Sequence, residues 1–105
     1  MFKKYLAYIE AAKDRFELKR IIERILNDKL MSEDKGKEVK IDKAILLNKA
    51  EIKLRKFYRD AIINAISKKE LKRIADELKD DKFIKRKGSL LGLALLRRLE
   101  IRGKI

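Results

Sequence analysis

The sequence predicts an all-α protein: a four-helix bundle built on a long antiparallel helical hairpin plus two short helices. Three observations carry this expectation. Apolar residues recur every three or four positions along most of the 105 residues, which turns one face of a helix toward a core. Helix-start signals fall between the periodic runs, the clearest being Ser67-Lys68-Lys69-Glu70, with Ser at the N-cap and Glu three residues on. Strand signals are weak: Lys82–Lys87 is open to an extended reading, and one such piece cannot make a sheet.

The first helix is expected over 2–31. Phe2, Tyr5, Ile9, Ala12 and Phe16 keep a three-four spacing, and after a small drift at Leu18 a broader face continues through Ile21, Ile22, Ile25 and Leu26. The N-terminal aromatics fall on this stripe and read as core rather than as a base-stacking platform. Glu10, Asp14, Glu17 and Glu23 alternate with Lys13, Arg20 and Arg24, a solvated and self-compensated face. Ser32–Val39, SEDKGKEV, is the one clear loop, polar throughout with Gly36. Asp42 is a plausible N-cap for a second helix over 42–66, and the short connection favours an antiparallel hairpin.

That second helix carries two patterns. Leu47, Ala50, Leu54, Phe57, Ala61 and Ala65, with Ile62 and Ile66 beside them, make an apolar face. Lys49, Lys53 and Lys56 make a basic row, with Arg55 and Arg59 as a second. A third helix over 68–80 buries Leu71, Ile74, Ala75 and Leu78. A fourth over 90–102 is capped by Ser89, stopped by Gly103 and packed through Leu91, Leu95 and Leu99, with Arg98 and Arg102 outside. No internal repeat of solenoid length and no low-complexity segment is visible.

Composition narrows the function classes. The length fits one domain over 1–105. Charged residues make up 45% of the chain, with 30 Lys and Arg against 17 Asp and Glu, a net charge of +13. The charge density resembles a thermophile surface laced with ion pairs, but such networks need both signs and leave the surplus unexplained. A surplus of this size implies an anionic partner. Cysteine is absent and no signal or transmembrane run stands out, so the expected location is cytoplasmic.

Enzymatic chemistry finds little material. Without His or Cys there is no imidazole base, no thiolate and no soft metal ligand. The cluster Asp76-Glu77-Leu78-Lys79-Asp80-Asp81 suggests a metal-binding motif, but it continues a helical pattern, and a solvated face is the simpler reading. The chain is expected to be no enzyme, with no cofactor and no metal.

Two basic surfaces are candidates for a polyanion. One is the row Lys49, Lys53, Lys56 and Arg59, with Tyr58 placed to stack on a base or sugar. The other is Lys82, Lys85, Arg86 and Lys87, leading through Gly88 and Ser89 into the last helix, with Arg97, Arg98 and Arg102 beyond it. A helix start after three cations suits a phosphate. The expected partner is nucleic acid, DNA or RNA, bound through its backbone with little sequence specificity, by the chain alone or as an accessory subunit of a larger complex.

A helix-turn-helix would need a shorter connection between the last two helices. The alternative is a protein-interaction module whose basic face docks on an acidic partner. The Leu90–Leu96 run, with Gly88 and Gly92 four apart, would then dock on a partner protein or a second copy, giving a homodimer. Membrane binding is disfavoured, since the C-terminal apolar stripe lacks Trp. Lys53 to Ala61, KLRKFYRDA, faintly resembles a segment of small helical subunits of type III CRISPR effector complexes. Nine residues assign no family, and the likeness implies only that basic helical subunits of nucleic-acid machines share this local pattern.

Overall fold

Two helix starts in this chain, at Arg15 and Lys68, are set by side chains that bond the loose backbone N–H groups there. A computed structural model describes residues 2–28 and 37–101. Five helices occupy them: α1 (Phe2–Ala11), α2 (Arg15–Asn27), α3 (Lys37–Asn64), α4 (Lys68–Asp80) and α5 (Gly88–Glu100). No strand occurs among the described residues, so the all-α expectation holds. None of these helices is long and apolar enough to cross a membrane.

The chain divides into two compact units, Met1–Leu54 and Arg55–Ile105, with α3 running through both. In the first unit, the helix expected over 2–31 is two. Asp14 is extended at the N-cap of α2, and its carboxylate accepts the Glu17 N–H at 2.8 Å. Glu17 reaches back to the N–H of Lys13 at 3.4 Å. This reciprocal cap satisfies donors that a continuous helix would have paired internally. The break shifts the register. Phe16, expected in the core, is half-exposed, whereas Leu18, expected as a drift, is fully buried. Leu26 is likewise exposed, and the core of α2 is Leu18, Ile21, Ile22 and Ile25.

In the second unit the expected third helix appears with its expected bounds. Ser67 Oγ accepts the Glu70 N–H at 3.1 Å, and Glu70 reaches back to the Ile66 N–H at 3.2 Å. Leu71, Ile74 and Leu78 are buried. The buried residues of α3 are Leu46, Ala50, Leu54, Tyr58 and Ile62, every fourth position. Of the expected face Ala50, Leu54, Ile62 and Ala65 are buried, whereas Leu47, Phe57 and Ala61 are only half-buried and Ile66 is 76% exposed. Asp42 is no N-cap, because α3 already begins at Lys37. The expected loop at Ser32–Val39 lies outside the described residues up to Gly36, and its last three residues belong to α3.

The last helix departs most. It starts at Gly88 with Lys87 as N-cap and no side-chain capping bond, so Ser89 caps nothing. Leu90, Ala94 and Ile101 face inward. Leu95 (63% exposed), Leu96 (61%) and Leu99 (73%) do not, although Leu95 and Leu99 were expected in the inner row with Leu91. Arg102, Gly103 and Lys104 lie outside the described residues.

The two units repeat one local design at a spacing of 53 residues. Eleven residues between 2 and 29 recur at that offset: Lys3, Tyr5, Ile9, Ala12, Glu17-Leu18-Lys19-Arg20-Ile21, Asp28 and Lys29 become Lys56, Tyr58, Ile62, Ala65, Glu70-Leu71-Lys72-Arg73-Ile74, Asp81 and Lys82. The geometry repeats with them. Ala12 and Ala65 each donate to the carbonyl three residues back at 3.3 Å. Asp28 and Asp81 each end a helix with an extended backbone, and each accepts the hydroxyl of a tyrosine 23 residues earlier, Tyr5 and Tyr58. In each unit a tyrosine six residues before the end of one helix is thus tied to the aspartate that ends the next. The repeat is faint in the sequence because, outside Glu17–Ile21 and Glu70–Ile74, its matches are scattered singly or in pairs among unmatched residues.

Candidate nucleic-acid interface

Charge is unevenly shared. The residues to Leu54 hold 14 Lys and Arg against ten Asp and Glu, and those from Arg55 hold 16 against seven. A third of the surplus in the second unit sits on the linker between α4 and α5, which holds four cations against one carboxylate.

That linker is built from the inside. Asp81, buried, accepts the Tyr58 hydroxyl through one carboxylate oxygen and the Phe83 N–H at 2.8 Å through the other. Ile84, three residues after Asp81, is buried. The Arg55 guanidinium donates to the Arg86 carbonyl, and Lys87 Nζ donates to the Lys79 carbonyl at 2.6 Å. With its course fixed at these points, the linker leaves Lys82, Lys85 and Arg86 exposed. Lys82 Nζ also lies 5.3 Å from the centre of the Phe83 ring. Lys56 and Arg59, one turn apart and exposed, lie on the segment of α3 whose Arg55 reaches this linker.

Tyr58 is not available to stack on a base, since it is wholly buried. Burial, and then its bond to Asp81, push its phenol well above the usual tyrosine range. Tyr5 is pushed up by the same two causes, burial first and Asp28 second. Both hydroxyls act as structural donors at ordinary pH.

Three of the cations singled out in the sequence are engaged at helix ends. Lys53 Nζ donates to the carbonyls of Ile9 at 2.7 Å and Glu10 at 2.6 Å, closing the end of α1. Arg97 donates to the Ala65 carbonyl at 2.9 Å, just past the end of α3. Lys87 does the same at the end of α4. Cations there meet unpaired carbonyls and the negative end of the helix dipole. The row Lys49, Lys53, Lys56 is interrupted at its middle member. Lys49 is exposed in the first unit. Arg98 is exposed on α5, Ser89 is exposed in its first turn, and Arg102 lies outside the described residues.

In the acidic cluster, Asp76 and Asp80 are exposed while Asp81 turns inward. Among the described residues no group of three or more acidic side chains is placed to hold a metal ion. Gly88 and Gly92 stand in open space, where a Cβ would meet nothing within 4 Å. Comparison with protein-family models, with curated proteins and with solved structures returns no match.

Proposed function

We propose that this chain binds nucleic acid through the phosphate backbone, without catalysis, as a small basic protein or accessory subunit. One observation carries the reading: Lys82, Lys85 and Arg86 stand exposed on a linker held at both ends and at its middle by Asp81, Ile84, Arg55 and Lys87. Cations presented on a fixed backbone lose less freedom on binding than cations on a loose tail. Lys56 and Arg59 extend the set to five. No base-reading pattern accompanies them, so affinity would come from counterion release and be shared by unrelated sequences.

The test is fluorescence anisotropy with a 20-base-pair duplex and an unstructured 20-nucleotide RNA, at two salt concentrations. About five neutralised phosphates give a log–log salt slope near −4.5 on duplex, so a fourfold rise in salt weakens binding by several hundred-fold. Lys85→Glu with Arg86→Glu should weaken binding to all sequences alike. Unchanged affinity in that variant removes this assignment.

A further inference from the structure

Between α4 and α5 the second unit has an open groove of about 700 Å3. Its floor is aliphatic: Leu71, Ala75, Leu91, Ala94 and Leu95. Its rim is cationic, with Lys68, Lys69, Lys72, Lys79 and Arg98 against one carboxylate, Asp76. We propose that this groove docks an amphipathic helix of a partner protein, leucine-rich on one face and lined with Asp and Glu along its flanks. The proposal concerns a surface separate from the linker and does not depend on the nucleic-acid reading.

The occupant follows from the chemistry of the floor and rim. An apolar stripe laid into the groove would cover Leu91 and Leu95, which lie one turn apart, in the helix-in-groove manner. Its acidic flanks would meet the rim lysines and Arg98. A second copy of this chain is a poor fit, because a symmetric contact sets the same five cations against themselves. Nucleobases are a poor fit because the floor offers no aromatic ring to stack on. A lipid surface is flat and the groove is concave. The same helix face is also left open in the first unit, where Phe16 and Leu26 occupy the positions of Lys69 and Lys79 and are exposed. On that face of the first unit Arg15 and Lys19 lie over the Phe16 ring at 4.5 and 5.9 Å, whereas the second unit sets five cations around its groove.

The probes are three labelled 16-residue peptides titrated onto the full chain. One is an amphipathic Leu/Glu helix, the second has the same residues scrambled out of helical register, and the third is Leu/Lys. The proposal expects the first to bind, the scrambled form to bind at least tenfold more weakly and the Leu/Lys form not to bind. Leu95→Gln, neutral and on the surface, should weaken the first peptide about tenfold with the circular dichroism melt unchanged. It should leave duplex affinity untouched. Lys85→Glu with Arg86→Glu should leave the peptide bound, so failure of the linker assignment and failure of the groove assignment are told apart. Equal binding of the scrambled peptide, or an unaffected Leu95→Gln variant, overturns the proposal. So does light scattering that shows a dimer lost on Leu95→Gln, or Leu95-dependent binding to anionic vesicles without peptide binding.

Discussion

Tyr5 meets Asp28 in the first unit as Tyr58 meets Asp81 in the second, and the two clamps differ in depth. Asp28 is half-buried, while Asp81 is buried and holds the Phe83 N–H as well. The second clamp therefore both ties its two helices and sets the direction of the basic linker. The first unit carries a near-balanced surface on the same frame, and the second a strong surplus of cations. The comparison teaches that frame and surface charge vary independently here. Substitutions in one unit have a built-in control in the other.

The largest difference should come from removing the carboxylates. Asp81→Ala takes from the buried Tyr58 hydroxyl the first of its two carboxylate partners, leaving Glu77, and frees the Phe83 N–H. A loss of about 3 kcal/mol is expected, against about 1 kcal/mol for Asp28→Ala near the surface. Urea denaturation measures both. Equal losses would break the distinction between a deep and a shallow clamp.

High pH sharpens the same comparison. The Tyr58 phenol is raised in the folded state, so its proton is retained there while the unfolded chain gives it up above about pH 10. The stability tied to that proton is complete below this range and falls as pH rises beyond it, by up to about 1.4 kcal/mol per pH unit. Comparing melts of Tyr58→Phe and wild type between pH 9 and 11 isolates this slope from that of the lysines. Tyr58→Phe should fall less steeply than wild type. Parallel curves would mean that the hydroxyl ionises as freely folded as unfolded.

The smallest effects should be the matched ones. Asp14→Ala and Ser67→Ala each remove one N-cap acceptor and should each cost about 1 kcal/mol. A cost at Ser67 alone would show that the break between α1 and α2 is not held by its cap.

The legibility of the sequence divides along similar lines. Ser67 and Glu70 announced a helix start because no competing pattern covered them. Asp14 and Glu17 form the same cap, yet Asp14 also sits four residues from Glu10 on an apparently continuous charged face, and that competing pattern hid it. Apolar periodicity placed α4 correctly but misjudged α5. A run with Leu at 90, 91, 93, 95, 96 and 99 offers several equivalent faces, and tertiary packing selected Leu90, Ala94 and Ile101. The basic linker was visible as a charge run. Its anchoring was not, because the anchors Tyr58, Asp81 and Arg55 come from two helices and pair only through the fold. Counting cations likewise could not separate Lys53, Lys87 and Arg97, which close helix ends, from Lys82, Lys85 and Arg86.

The placement of charge, rather than its total, is the claim on which the function rests. Two triple variants change net charge by the same amount: Lys82→Glu, Lys85→Glu and Arg86→Glu on the linker, and Lys3→Glu, Lys4→Glu and Lys13→Glu on exposed positions of the first unit. The measurement is the salt slope of duplex binding for each. The linker variant should lose about 2.7 of slope, three phosphate contacts, while the first-unit variant keeps the wild-type slope. Equal losses in the two would contradict a localised interface.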